Sequence, residues 1–335
     1  MADRDVFDVA IIGAGPAGLA AALYTSRDRY STLLLEKSGL PGGQIMLTER
    51  IDNYPGMPQV AGADLIQAMV DQVRHFGTEI RTGQEVTRIS RGDDGIIHLE
   101  INEGEKSYAA RAVILSPGSS YRQLGVPGEA ELRQAGKVSY CATCDGAFYR
   151  DKHVLTIGGG NTAVEDTLYL ASRFVKQATL IHRRREFRAQ KVLVEELLEA
   201  ARERNVRILA PYVLTKIVGN ADHSDIDHVE LRHVESGQVE HMQVDGVFIF
   251  VGMVPSTGFL KGVVGINELG YIECDPVCLR TKVRGIFAAG DCRVNAPMQL
   301  ATACGDGVTA AMMLKEYFRN PDWWESGGIA ATGIW

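Results

Sequence analysis

Apolar and polar positions follow one order twice along this chain: a short apolar run, a glycine turn, then a helical stretch. The first run, Val6 to Ile12, ends in Gly13-Ala14-Gly15-Pro16-Ala17-Gly18 and continues as a helix from Leu19 to Ser26. A second strand, Ser31 to Leu35, then delivers Glu36. Further on, Val154 to Ile157 leads into Gly158-Gly159-Gly160-Asn161-Thr162-Ala163, a helix from Val164 to Ser172 and a strand from Ala178 to Ile181. Near the end, Gly285 to Ala289 reads as a short strand and a helix starts near Gln299. Breaker-rich segments, Ser116-Pro117-Gly118-Ser119-Ser120 and Gly252-Met253-Val254-Pro255-Ser256, read as crossings between domains. The recurrence predicts an α/β protein with a duplicated, Rossmann-like, three-layer nucleotide fold.

The residues of the first turn fit dinucleotide chemistry. Gly13 permits a tight turn, Gly15 lets backbone N–H groups approach a pyrophosphate, and Gly18 lets the helix pack closely on the strand. The carboxylate of Glu36, at the end of the second strand, can accept hydrogen bonds from an adenosine ribose. A glycine pattern alone is a weak signal, and the strand, helix and acid around it strengthen it. In the second copy no acid stands at the ribose position. The strand ends instead in His182-Arg183-Arg184-Arg185-Glu186-Phe187-Arg188. Arg183, Arg184 and Arg188 can grip a 2′-phosphate through paired N–H donors, which predicts NADPH rather than NADH; the plainer alternative is a solvated basic helix start.

Composition narrows the class. The chain has 335 residues, 45% hydrophobic and 23% charged, and a net charge of -7, as expected for a soluble globular protein of two domains. The only basic run is the short one at His182 to Arg185, so neither nucleic acid nor a membrane surface is an expected partner. No apolar run reaches spanning length, and the first strand begins within a few residues of Met1, leaving no room for an apolar signal region. Six cysteines are too sparse for a secreted disulfide scaffold and point to a reducing cytoplasm.

Two of those cysteines stand in Ser139-Tyr140-Cys141-Ala142-Thr143-Cys144-Asp145-Gly146. Thiols at this separation can close a small disulfide ring, a helix start lowers the pKa of one of them, and Asp145 adds a nearby proton carrier. A zinc site would need a second pair, and Cys274, Cys278, Cys292 and Cys304 offer no second Cys-x-x-Cys or matching histidines.

Over residues 5 to 318 the chain resembles the low-molecular-weight, bacterial type of thioredoxin reductase. The motifs occur in the family's order: GAGPAG at Gly13, PGGQ from Pro41 to Gln44, TERIDNYPG from Thr48 to Gly56, CATCDG at Cys141, GGGNTA at Gly158, HRRREFRA at His182 and AAGDC from Ala288. The resemblance implies an FAD-binding domain in two pieces, 1–117 and 248–320, with an NADPH-binding domain, 118–247, inserted between them and carrying the cysteine pair. A C-terminal extension spans 321–335. FAD is implied to contact Gly13, Gly15, Pro16, Ala17, Glu36, Gly43, Gln44, Thr48, Asn53, Val86, Gly290, Asp291, Met298, Gln299 and Leu300. NADPH is implied to contact Gly158, Gly160, Asn161, Thr162, His182, Arg183, Arg184 and Arg188. By the same resemblance NADPH reduces FAD and FAD reduces the Cys141–Cys144 disulfide. Cys144 is then the thiol beside the flavin, Cys141 the one that attacks a thioredoxin-like disulfide, and Asp145 the proton carrier. A homodimer, and rotation of the inserted domain about the two crossings, are implied as well.

Three features depart from the family pattern. Met298 stands where an arginine usually precedes Gln299 and removes a cation beside the flavin. Cys292 directly follows Asp291, where a buried structural thiol is the plainer reading. All three tryptophans lie in the extension, which predicts that Trp323, Trp324 or Trp335 folds back on an apolar surface, a dimer interface or a flavin face. A ring such as Trp335 over the flavin would obstruct nicotinamide, so ferredoxin is an alternative electron donor. A dithiol oxidase using oxygen is a further alternative, though it has no need of the arginine cluster.

Overall fold

The structure is a computed structural model that describes residues 6–48, 51, 53–203 and 205–325. The chain opens with β1 (Phe7–Ile12), α1 (Pro16–Arg27), β2 (Thr32–Leu35), α2 (Gly62–His75), β3 (Glu79–Arg81), β4 (Val86–Arg91), β5 (Ile97–Ile101) and β6 (Lys106–Leu115). It continues through β7 (Ser119–Tyr121), α3 (Glu129–Gln134), β8 (Val138–Ser139), α4 (Ala142–Asp145), β9 (His153–Ile157), α5 (Asn161–Arg173), β10 (Gln177–Ile181), α6 (Lys191–Glu203) and β11 (Val206–Leu209). There follow β12 (Tyr212–Gly219), β13 (Ile226–His233), β14 (Val239–Met242), β15 (Gly246–Ile249), β16 (Met253–Pro255), β17 (Ile286–Ala288) and α7 (Leu300–Arg319). The chain divides into two compact units, Met1–Ser120 with Val254–Trp335, and Tyr121–Met253. The second crossing falls at 253/254, six residues beyond the 247/248 boundary expected from sequence. The physical reason is β15, whose residues 246–249 pair with β9 inside the second unit's sheet.

In the first unit the strand order is β3-β2-β1-β6-β5-β4, with β17 also on β6. The pairs β3–β2, β2–β1, β1–β6 and β6–β17 are parallel, whereas β4 and β5 run antiparallel. Strands covered on both faces need apolar side chains throughout, and every residue of β2 is buried. Helix α1 begins at Pro16, one turn before the predicted Leu19, because proline at the first helical position already has the required φ and loses no hydrogen bond there. Its small residues let it sink between the sheet and α7. A Cβ at Gly307 of α7 would stand 2.1 Å from the Ala17 carbonyl oxygen, so no larger residue fits that crossing.

The described part of the C-terminal extension, 321–325, folds back as expected. Trp323 and Trp324 are buried in the core beneath α7, and Trp324 meets Phe287 and Tyr317 edge-on with centroids 5.1 and 5.2 Å away. Arg280 donates to the carbonyls of both tryptophans and lies 5.3 Å from the Trp323 ring centroid. Both rings are thus committed to the core of the first unit, and neither is available to cover a flavin. Trp335 lies outside the described residues.

The second unit repeats the plan with a parallel sheet, β11-β10-β9-β15-β8, beside an antiparallel meander, β12-β13-β14. Its first three strands grow outward from the glycine turn as those of the first unit do, so the predicted duplication is present. Helix α5 starts at Asn161, again earlier than the predicted Val164. Between the units the chain crosses on β7 and β16, which pair with each other.

Trp323 is fully buried. Trp323→Ala should therefore lower the stability of the first unit by about 3–5 kcal/mol in equilibrium denaturation, through lost burial and the cavity left behind. A change under about 1 kcal/mol would contradict the assignment of the extension to the core.

Candidate active site

The first glycine turn is built by contacts that exclude side chains. Gly13 has φ +100°, and a Cβ on it would stand 2.3 Å from the Ser116 carbonyl oxygen. A Cβ at Gly18 would stand 1.9 Å from the Gly13 carbonyl oxygen, so the helix can approach the strand only as glycine. Gly15, by contrast, has open space where its Cβ would point, and it is the N-cap of α1 with no side-chain hydrogen bond. Uncapped backbone N–H groups behind an open glycine are what an FAD pyrophosphate requires. Pro16 and Ala17 form the first turn of that helix.

Other predicted flavin-site residues gather around this turn within the first unit. Glu36 is buried and its carboxylate accepts the Ala14 N–H at 2.9 Å, the Ser38 N–H at 2.9 Å and the Ser38 hydroxyl at 2.7 Å. The acid expected to meet a ribose therefore also braces the glycine turn. Gly42 N–H donates to the Ala14 carbonyl, and the Gly43 backbone lies against Gly15, which brings the PGGQ segment onto the same turn. Gln44 donates to the Ser119 carbonyl, and Thr48 ties the segment to α2 by accepting the Gly62 N–H at 2.9 Å. The Asn53 amide lies 3.4 Å from the Gln299 side-chain oxygen. Val86 is buried at the start of β4. Gly290 lies beside Ala17, where a Cβ would stand 2.9 Å from the alanine methyl. Gln299 is the N-cap of α7 and Leu300 its first residue. Met298 has φ +56°, and its sulfur is 3.9 Å from the Ser119 hydroxyl.

No local pattern marks Asp306 of α7, which lies more than one and a half turns inside a helix of small residues. It accepts the Gly290 N–H at 2.9 Å and two Arg293 N–H bonds, from Nε at 2.6 Å and Nη2 at 2.9 Å. Burial, and secondly the nearby Asp306, push the Asp291 carboxyl up to about 6, while Arg293 pulls it down.

The second turn uses the same device. A Cβ at Gly158 would stand 2.4 Å from the Ala163 methyl, whereas Gly160, the uncapped N-cap of α5, faces open space. His182 does not stand with the arginines. Its ring is buried behind Gly159, where a Cβ would come within 2.2 Å of it, and it stacks on Phe187 at 5.2 Å. Burial, and then the arginines, hold it below the usual histidine range, so it supports the turn as a neutral ring. Arg183, Arg184 and Arg188 are exposed and form no ion pair among the described residues. Arg185 is held apart by a two-point pairing with Glu235, at 2.8 and 2.6 Å. The Arg188 N–H donates to the Gly159 carbonyl at 2.7 Å, and the Asn161 side-chain oxygen accepts the Gln190 N–H at 2.9 Å, so the arginine loop is pinned to the turn from both sides. Thr162 is exposed on the first turn of α5.

In the same unit Cys141 and Cys144 form a disulfide with Cα atoms 5.3 Å apart. Cys141 is the N-cap of α4, and its sulfur accepts the Cys144 N–H at 3.2 Å. Asp145 sits at the end of that turn, where burial raises its carboxyl above the ordinary range and a 2.6 Å bond from the Ser139 hydroxyl pulls it back down. Tyr140 is anchored by a 2.5 Å bond to the buried Glu129, which also accepts the N–H groups of Leu124, Gly125 and Val126. Neither Ser139 nor Glu129 was singled out by sequence, since each bond joins residues with no recognisable pattern.

The other four cysteines are unbridged. Burial pushes Cys274 up to about 11 and Cys292 up to about 12, so both are inert thiols at neutral pH, and Cys292 donates to the Ala289 carbonyl at 3.4 Å. Among the described residues no cluster of histidine, cysteine or acidic side chains is placed to hold a metal.

A sequence model of the pyridine nucleotide-disulphide oxidoreductase family matches residues 7–307. The chain is 41% identical over 317 residues to a thioredoxin reductase of Bacillus subtilis, covering 95% of this chain and 96% of that one. A solved thioredoxin reductase from Streptococcus pyogenes is similar with a TM-score of 0.87 and 38% identity, covering 95% of this chain and 99% of that one. One from Giardia duodenalis is similar with a TM-score of 0.86 and 29% identity, covering 94% and 100%.

Asp291 gives a pH-dependent prediction. Its carboxyl, ordinarily near 3.8, titrates at about 6 in the folded chain, so its contribution to stability is full below about pH 4 and is lost as pH rises to about 6. Asp291→Asn should stabilise the flavin-free protein by about 1–3 kcal/mol at pH 8, with the gain vanishing towards pH 4 in denaturation curves. An equal effect at both pH values would contradict the burial of an ionising group here.

Proposed function

The chain belongs to the low-molecular-weight thioredoxin reductases, within the pyridine nucleotide-disulphide oxidoreductase family, and on that premise we propose that it reduces a thioredoxin-like protein disulfide with electrons from NADPH, through FAD and the Cys141–Cys144 pair. The observation that carries this reading is the closed Cys141–Cys144 disulfide in the same unit as a nucleotide turn flanked by exposed arginines. FAD, when bound, accepts two electrons as a hydride and returns them to a disulfide. The glycine turn and Glu36 of the first unit are suited to hold its pyrophosphate and ribose. Arg183, Arg184 and Arg188 are suited to a 2′-phosphate.

Opening the disulfide consumes two electrons and two protons. Asp145, buried and inclined to keep its proton, delivers one of them to the departing sulfur. The Cys141 thiol then returns a proton to the ionised Asp145 and, as a thiolate, attacks one sulfur of the partner's disulfide, and the partner's other sulfur leaves as a thiolate that takes up a proton. Cys144 next attacks the mixed disulfide, its proton passing to the second partner sulfur, which releases the reduced partner as a dithiol and restores the Cys141–Cys144 bond. The acceptor is a small dithiol protein of the thioredoxin kind, and the setting a reducing cytoplasm in which the enzyme works as a homodimer. None of the described helices is long and apolar enough to cross a membrane. Neither ferredoxin as donor nor oxygen as acceptor draws support from the relatives or from the site.

Anaerobic mixing with NADPH should bleach the flavin absorbance, and no bleaching at substrate concentrations would overturn NADPH as donor. Replacing Arg183 and Arg184 together by alanine should raise KM for NADPH about 10- to 100-fold and narrow the preference over NADH, since each charge-assisted bond lost at this solvent-screened site is worth about 1 kcal/mol. Cys141→Ser should leave NADPH bleaching intact and abolish reduction of thioredoxin.

A further inference from the structure

Ser139 has no part in the relay just described, yet its hydroxyl sits at the junction of the two groups that the relay uses. It is the last residue of β8, pairs with Phe248 of β15, and is buried. Its oxygen is 2.6 Å from Asp145 Oδ2, accepts the Cys141 N–H at 3.1 Å, and lies 3.3 Å from the Cys141 carbonyl oxygen. The Cys141 carbonyl in turn accepts the Asp145 N–H at 3.1 Å. Serine, thiol backbone and acid therefore form one closed ring of hydrogen bonds around the redox pair.

A hydroxyl has one proton to give and two lone pairs with which to accept. When Asp145 is ionised, the Ser139 proton points at its carboxylate. When Asp145 is protonated, its own O–H donates to Ser139 Oγ, and the serine proton turns to the Cys141 carbonyl. Both arrangements keep the Cys141 N–H bond, and neither leaves a buried polar atom without a partner, which would otherwise cost about 1–3 kcal/mol.

We propose that Ser139 is a positioning residue for disulfide reduction: by rotating its hydroxyl between Asp145 and the Cys141 carbonyl, it carries Asp145 through loss and recovery of its proton while holding the Cys141 backbone still. The proton that moves is the one on Asp145, which passes to sulfur; the serine keeps its own. The inference rests on Asp145 being the proton carrier. The elements packed on α4 are α5, carrying Glu165, Asp166 and Arg173, and the turn 146–149, carrying Tyr149. Among the described residues none of these charges acts appreciably on Asp145, whose proton affinity is raised by burial and lowered by the Ser139 bond. Once the pair is reduced, the Cys141 and Cys144 thiols are the remaining titratable neighbours.

The test is the pH profile of kcat for thioredoxin reduction in the flavin-loaded enzyme. Ser139→Ala should move the alkaline limb up by about 0.5–1 pH unit and lower kcat about tenfold, with KM for NADPH and thioredoxin changed less than about twofold. Ser139→Thr, which retains the hydroxyl, should restore the limb. Ser139→Gly removes the same hydroxyl and serves should the alanine variant lose its flavin. In an Asp145→Asn background the limb should be absent and Ser139→Ala should cause no further loss. A limb that persists in Asp145→Asn would overturn the role of Asp145, and the inference with it. A limb that disappears in Asp145→Asn but does not move in Ser139→Ala, or losses that simply add in the double variant, would overturn the inference alone.

Discussion

Backbone touching backbone is the constraint on which this structure depends. At Gly18 the helix comes so close to the Gly13 carbonyl that a methyl group would stand 1.9 Å from it, and at Gly307 the terminal helix comes as close to Ala17. These approaches fix α1 between the sheet and α7. They aim its first N–H groups into open space, where no side chain competes for them. A larger residue at either crossing would push the helix outward and turn those donors away. Packing and binding capacity are thus one property here, set by the absence of side chains at a few positions.

The second unit repeats the device and changes what surrounds it. Beyond β2 stands a buried carboxylate whose oxygens already brace Ala14 and Ser38; beyond β10 stand guanidinium groups open to solvent. The contrast follows from desolvation. A carboxylate fed by two backbone N–H donors and a hydroxyl can be buried cheaply, whereas three clustered arginines can only stay in water until an anion neutralises them. His182 completes the arrangement by remaining neutral and apolar-packed behind Gly159, so that no further cation is buried beneath the arginines.

Much of this was legible in sequence wherever chemistry depends on local spacing. The glycine turns, the strands that feed them, Glu36, the exposed arginines and the Cys-x-x-Cys pair all follow from residues a few positions apart. The helices start about a turn before the apolar pattern predicts because Pro16 and Asn161 are helical despite their usual reputation as breakers, each sitting where its missing or diverted hydrogen bond is harmless. The domain crossing lies beyond the predicted boundary because β15 is apolar like any core strand, and only its pairing with β9 shows which sheet owns it. Asp306, Ser139 and Glu129 carry no signature in the sequence. Their roles arise from partners brought together by the fold, such as Gly290 with Asp306, and no local pattern marks them. The tryptophans show the same limit in reverse. Their aromatic content predicted folding back, but their burial against Phe287 and Tyr317 depended on contacts that sequence alone does not specify.

The placement of charge around the redox pair carries a further implication. A general acid in water near neutral pH has already lost its proton if it is an ordinary carboxyl, so a carboxyl can deliver protons there only where burial raises its affinity. Burial alone, however, makes the ionised form costlier to reach, and the proton leaves less readily. The short bond from Ser139 offsets part of that cost without admitting water. Glu129 meets the same problem differently: three backbone N–H groups and the Tyr140 hydroxyl converge on its carboxylate, and it serves as an anchor. Of these two acids, Glu129 is held by four donors and Asp145 by a single side-chain hydroxyl that can turn away. The many donors make Glu129 a structural anchor, whereas Asp145, beside Cys144, is held by one hydroxyl that can turn with its proton.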